Sequence, residues 1–103
     1  MIDWSQPAQV IWNRVRGFTP WPGAFTHFPA EGQPRLLKVW FAEVEPNLSG
    51  APGTILRADK DVVVACGQQA LRILQLQREG GRRMTAQEFL AGHPLAIGSQ
   101  LGR

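Results

Sequence analysis

A tryptophan enclosed by prolines is the local feature that most constrains this chain: residues 16–25 read RGFTPWPGAF. Each proline lacks a backbone N–H and forces the preceding residue into an extended conformation, so no helix and no central strand can continue through Pro20 and Pro22. Glycines on both sides allow the backbone to turn. We therefore expect a rigid corner between a helix and a strand, with Trp21 packed against the helix rather than exposed to a ligand. The residues of this corner are Pro20, Trp21, Pro22 and Gly23.

Before the corner, apolar residues recur at helical spacing and form one stripe. They are Ala8, Ile11, Trp12 and Val15. Ser5 supplies a capping hydroxyl, Pro7 suits a first helical turn, and Gly17 can adopt the left-handed conformation that ends a helix. This pattern predicts a helix over residues 6–16.

After the corner, branched and aromatic runs separated by turn residues predict five antiparallel strands, over residues 24–29, 35–44, 54–58, 61–66 and 70–77. Thr85 and Glu88 fit a capping box, which predicts a short helix, and residues 94–98 form a strand-like tail. We expect a mainly β (α+β) fold in which residues 1–103 form a single domain. The order of these elements predicts a small closed or half-open β-barrel with an N-terminal helix and a short C-terminal helix.

The residues that carry chemistry are few. Cys66 with His27 or His93 could in principle form a nucleophile and its base, but Cys66 ends an apolar strand, where a small buried thiol is the usual role. No Cys, His or carboxylate pair has the spacing of metal ligands. We therefore predict no catalytic residues and no metal. One cysteine and the absence of a long apolar run or signal sequence favour a soluble cytoplasmic chain without a membrane partner.

Positive charge is the remaining functional signal, with 11 Lys and Arg against 8 Asp and Glu and a formal charge of +3. Nine of the cations are arginines, which bind phosphate through two oxygens at once. The run REGGRR, residues 78–83, indicates a flexible turn that follows a phosphate backbone, or a solvated loop that maintains solubility. Trp40 and Phe41 are expected to pack in the core, with base stacking as the alternative. The candidate RNA-binding residues are Arg14, Arg16, Lys38, Arg72, Arg78, Arg82 and Arg83.

Two families resemble this sequence at the corner. Residues 10–23 resemble the opening of a PWWP domain, a chromatin reader that holds methylated lysine in an aromatic cage by cation–π attraction. That resemblance covers about fifteen residues and requires residues 10–17 to form a strand.

The second resemblance runs through most of the chain, to the C-terminal domain of methionyl-tRNA formyltransferase. It is carried by ordered blocks: IDWS and PA at residues 2–8, RG and PWPGA at 16–24, PGTI at 52–55, VACG at 64–67, and LQ, GGRRM, FL and G between 76 and 92. It implies an open oligonucleotide-binding-like (OB-like) barrel whose role is binding initiator methionyl-tRNA.

The resemblance also implies a parent enzyme, although this domain itself carries no catalytic residues and needs no cofactor. The catalytic N-terminal domain is absent here, which suggests an excised C-terminal domain. That missing domain is expected to bind 10-formyltetrahydrofolate and to formylate the methionine on initiator tRNA. Sugar-amine formyltransferases and formyltetrahydrofolate dehydrogenases carry similar domains and stay open as alternatives, as does a purely structural role.

Overall fold

A helix, six strands and a second, short helix follow one another in the computed structural model, which describes residues 1–18, 23–30 and 33–102. In chain order the elements are α1 (Ala8–Phe18), β1 (Ala24–Ala30), β2 (Gln33–Glu45), β3 (Ile55–Ala58), β4 (Val62–Ala65), β5 (Ala70–Arg78), β6 (Arg83–Thr85) and α2 (Ala86–Gly92).

The first helix is present, but both of its predicted caps are wrong. Ser5 does not cap it, because the Ser5 hydroxyl donates to the Asp3 carboxylate (2.6 Å) three residues before the helix begins. The N–H of Ala8 donates instead to the Gln68 carbonyl, between β4 and β5. Gly17 lies inside the helix. The chain reverses later, at Gly23, whose φ is +92° and whose N–H donates to the carbonyl of the last helical residue.

All six described strands belong to one antiparallel sheet in the order β1-β2-β5-β4-β3. The short β6 pairs with the second half of β5, past the end of β4. The sheet curls into an open half-barrel flanked by the two helices, so the predicted fold class is confirmed.

An apolar core fills the half-barrel, with β4 at its centre. All four residues of β4, Val62–Ala65, are buried, and Cys66 follows them into the core. Ile11 and Val15 of α1 are buried as the helical spacing predicted. Each fully buried valine or leucine contributes about 1.5–3 kcal/mol relative to an exposed one, so this strand is a main stabilising element.

Two segments differ from the prediction. The run REGGRR is not simply a flexible turn, because Arg83 begins β6 and pairs with Gln77 of β5. Residues 94–98 do not form a strand: Gly98 has a φ of +93°, which interrupts an extended backbone. The Gly98 N–H instead donates to the Ile55 carbonyl, and the Ile55 N–H donates to the Ser99 carbonyl, which holds this tail beside β3.

Candidate nucleic-acid interface

A row of side chains crosses four strands of the sheet. The register places Phe25 of β1 opposite Lys38 of β2, and Lys38 opposite Gln77 of β5. Gln77 in turn lies opposite Arg83 of β6. Successive residues of a strand face opposite sides, and Leu37, next to Lys38, is fully buried. The row therefore lies on the outer face, where two cations flank a glutamine.

Trp40 brings these two cations together. The Lys38 ammonium lies 4.0 Å from the centroid of the Trp40 ring, and the Arg83 guanidinium carbon lies 4.9 Å from it. The indole N–H donates to the Gln77 side-chain oxygen (3.0 Å), and the Gln77 amide donates to the Gly81 carbonyl (2.8 Å). Cation–π attraction and these hydrogen bonds fix the orientation of the ring. We call Lys38, Trp40, Gln77 and Arg83 the Trp40 cluster.

A groove adjoins this cluster where α1 packs against β2, with a cavity volume of about 470 Å³. On its α1 side, the guanidinium carbon of Arg16 lies 4.4 Å from the centroid of the Trp12 ring. A third cation is thus held on an aromatic ring that lines the same groove as Trp40. The residues that line this α1–β2 groove are Trp12, Val15, Arg16, Trp40, Phe41, Ala42 and Glu43.

Phe41 is exposed, so the prediction that it packs in the core is wrong. Its side chain keeps 53% of its surface accessible, while Trp40 is half-buried. The pairing of β2 with β5 is irregular here: β2 has one extra residue between the Val39–Leu76 and Phe41–Gln75 pairs, and β5 has one extra before the next pair, Ala42–Ile73. Such bulges redirect side chains, and a period-two reading of the sequence does not reveal them.

Arg72 is engaged by carboxylates, which removes it from our candidate interface. Its guanidinium nitrogens lie 3.1 Å from Glu45, 3.5 Å from Asp61 and 3.7 Å from Glu43. Arg57 binds Asp61 as well, at 3.0 Å. These two guanidinium groups already form ion pairs with carboxylates of the same chain, so they are poorly available to bind a phosphate backbone.

The residues of these ion pairs carry a net negative charge, which leaves the rest of the sequence more positive than the chain as a whole. With Asp59, which lies 3.6 Å from Arg57, the network contains two arginines and four carboxylates, a net charge of −2. The total formal charge is +3, so the remainder of the sequence carries +5. Arg72 and Gln77 are five residues apart on β5, or roughly 17 Å along the strand. The Trp40 cluster therefore belongs to the more positive part of the chain.

The other predicted cations do not line the α1–β2 groove. Arg78 lines a cavity of about 430 Å³ together with Arg35, and a smaller one of about 260 Å³ together with Lys38 and Gln77. Arg82 forms an exposed ion pair with Glu88 (3.2 Å), and Arg14 lines a cavity beside the N-terminal segment. Of the seven predicted residues, Arg16 lines the α1–β2 groove, and Lys38 and Arg83 lie against Trp40, which lines it as well.

The proline corner contributes to this surface through Gly23. A Cβ at this position would lie 2.6 Å from the Cε atom of Lys38, so the Lys38 side chain packs over the bare glycine backbone. Thr19, Pro20, Trp21 and Pro22 lie outside the described residues, and the expected packing of Trp21 against α1 therefore stays a prediction.

The structure also describes the surroundings of the cysteine thiol and of the side chains that could bind a metal ion. Burial raises the pKa of the Cys66 thiol to about 12, which keeps it protonated and unreactive near neutral pH. Among the residues that the structure describes, no three His, Cys, Asp or Glu side chains are grouped as a metal ion would require. Within those ranges, neither helix is long and apolar enough to span a membrane.

Comparison with known proteins decides the family. The formyl transferase C-terminal domain family matches residues 1–94. The chain belongs to this family. α1 agrees with that assignment and excludes the PWWP alternative, which requires a strand where residues 10–17 are helical.

Two methionyl-tRNA formyltransferases are among the proteins to which this chain is similar. A methionyl-tRNA formyltransferase from Caldanaerobacter subterraneus subsp. tengcongensis is 42% identical over 101 residues, covering 97% of this chain. A second, from Citrifermentans bemidjiense, is 47% identical over 104 residues and matches 100% of it. In both cases the matched region is 31% of the relative, so this chain spans about a third of their length.

A solved structure resembles the fold. HypX from Aquifex aeolicus, crystallised in complex with tetrahydrofolic acid, has a TM-score of 0.69 with 21% sequence identity, over 93% of this chain and 17% of that one. At this identity the similarity is one of architecture alone.

Proposed function

We propose that this chain is the C-terminal domain of a methionyl-tRNA formyltransferase and that it binds the phosphate backbone of tRNA. The observation that carries the proposal is that three cations lie against two tryptophan rings of one groove: Arg16 against Trp12, and Lys38 and Arg83 against Trp40. The relatives at 42–47% identity, whose names specify methionyl-tRNA, support the choice of RNA.

The described residues support different roles for this domain and for the rest of the parent protein. The domain offers cations held on aromatic rings, whereas its cysteine thiol is buried with a raised pKa. We assign formyl transfer and the folate cofactor, 10-formyltetrahydrofolate, to a catalytic N-terminal domain of the parent protein. The C-terminal domain then increases the affinity of the enzyme for its tRNA substrate and orients it.

The test is the salt dependence of tRNA binding by this chain, measured by fluorescence anisotropy with labelled initiator tRNA. Each phosphate contact makes the logarithm of the association constant fall by about 0.7–0.9 per logarithmic unit of salt. Replacing Lys38 and Arg83 together by glutamine removes two such contacts but keeps the Cβ and Cγ methylene groups and a polar end. We expect weaker binding and a slope reduced by about 1.4–1.8.

The matched control is Lys60→Gln, which removes one exposed charge from the β3–β4 turn, within the carboxylate-rich part of the sheet. It should leave both affinity and slope close to those of the wild type. Affinity that does not change from low to high salt would exclude the phosphate contacts. A wild-type chain that binds no tRNA even at low salt would favour a purely structural role for the domain.

A further inference from the structure

We propose that the α1–β2 groove holds one unpaired nucleobase of the bound RNA, stacked on the ring of Phe41. This inference rests on the proposed function and adds to it the part of the RNA that is recognised. Phosphates on either side of the base would be bound by Arg16, Lys38 and Arg83.

The first argument is the exposure of Phe41. A phenylalanine with 53% of its surface accessible leaves much of its apolar area in water, and the bulge in β2 holds it there. It does not stand alone on the surface: it borders the groove together with Trp12 and Trp40. A cavity of about 470 Å³ lies within the range of small-ligand sites and has room for a base.

The aromatic residues of the groove have different roles. The Trp40 ring already has Lys38 and Arg83 against it, and its N–H is committed to Gln77. Trp12 similarly carries Arg16. These two tryptophans therefore position cations, and Phe41, for which the described contacts include no ring partner, offers the stacking surface.

Charge determines which ligand suits the groove. Among the described lining residues there is one cation, Arg16, and one acidic residue, Glu43, which lies 3.7 Å from Arg72. Lys38 and Arg83 lie against the ring of Trp40, which also lines the groove. Such a site disfavours a methylated lysine and favours an aromatic group with attached anions, which describes a nucleotide. Bases inside a duplex present no free face, so the base must be unpaired.

The experiment compares Phe41→Ala with Phe18→Ala. Phe18 is a matched control because it is also exposed, at 41%, and it does not line this groove. Each protein is titrated with a short single-stranded RNA and with a blunt RNA duplex of equal total charge. Stacking of one base contributes 1–3 kcal/mol, so Phe41→Ala should weaken single-strand binding by about ten-fold.

The salt slope of Phe41→Ala should equal that of the wild type, because no charge is removed, and its affinity for the duplex should not change. Phe18→Ala should behave as the wild type with both ligands. Equal single-strand affinity for wild type and Phe41→Ala would overturn the inference, and the proposed function would stand if the Lys38 and Arg83 variant still bound more weakly. If the wild type binds neither RNA at low salt, the proposed function fails first.

Discussion

At the scale of single residues, Gly23 links the proline corner to the candidate interface. Its backbone has a φ of +92°, which side chains rarely tolerate, and a Cβ would meet Lys38 at 2.6 Å. We expect Gly23→Ala to destabilise the protein by about 1 kcal/mol or more and to displace Lys38 from Trp40. Urea denaturation followed by circular dichroism measures the first effect, and weaker RNA binding reports the second.

Gly17→Ala is a control for which we expect the opposite change in the free energy of unfolding. It is helical, and nothing lies within 4 Å of an added Cβ. Alanine is favoured over glycine in helices, so Gly17→Ala should stabilise by about 0.5 kcal/mol. If both substitutions changed the free energy of unfolding in the same direction, our account of Gly23 would be wrong.

At the scale of elements, α2 depends on its capping box. Seven residues are too few for a helix to be stable alone, and here the Thr85 hydroxyl accepts from the Glu88 N–H (3.2 Å) while Glu88 accepts from the Thr85 N–H (3.0 Å). The helix in turn buries Phe89, whose ring packs edge-on against Phe28 with centroids 5.3 Å apart. Thr85→Ala should therefore cost about 1 kcal/mol in chemical denaturation, and Thr85→Ser much less.

The same box makes part of the stability sensitive to acid. The backbone N–H of Thr85, followed by the Arg82 guanidinium, lowers the pKa of Glu88 below its ordinary value of 4.5. The resulting stabilisation is complete above the unfolded-state pKa and is lost as the pH falls through the lower folded-state pKa. Glu88→Gln keeps a hydrogen-bond acceptor but cannot titrate. Chemical denaturation at neutral and at acid pH should therefore show that this variant loses less stability on acidification than the wild type. Some loss should persist, because Asp3 and Glu45 also have lowered pKa values.

Elements with a local signal were predictable from the sequence, and those that depend on pairing were not. The capping box located α2, and helical spacing located α1 to within two residues at each end. The strand β6 has only three residues and exists because β5 pairs with it, and the bulge at Phe41 appears only in the register of β2 against β5. The candidate site depends on that register. The sequence therefore indicated its charges but could not separate Arg83, in the cluster, from Arg72, in the ion-pair network.

At the scale of the whole molecule, both ends of the described chain are tied to the half-barrel at Trp4. This residue is buried, and its indole N–H donates to the hydroxyl of buried Thr26 in β1 (2.9 Å). Gly102 lies against the same indole, and its N–H donates to the carbonyl of His27 (2.8 Å). Leu101 donates to Gly53 at 2.8 Å, so the two terminal segments close one end of the core together.

This arrangement predicts strong coupling between the indole and the hydroxyl. Trp4→Phe removes the donor and leaves the Thr26 oxygen buried without it, which costs about 1–3 kcal/mol in addition to the lost packing. Thr26→Val removes the acceptor with little change of shape. In a double-mutant cycle measured by urea denaturation, the double variant should be about 0.5–1.5 kcal/mol more stable than the sum of the single effects implies. Single effects that add to within about 0.3 kcal/mol would instead mean that Trp4 closes this end by packing alone.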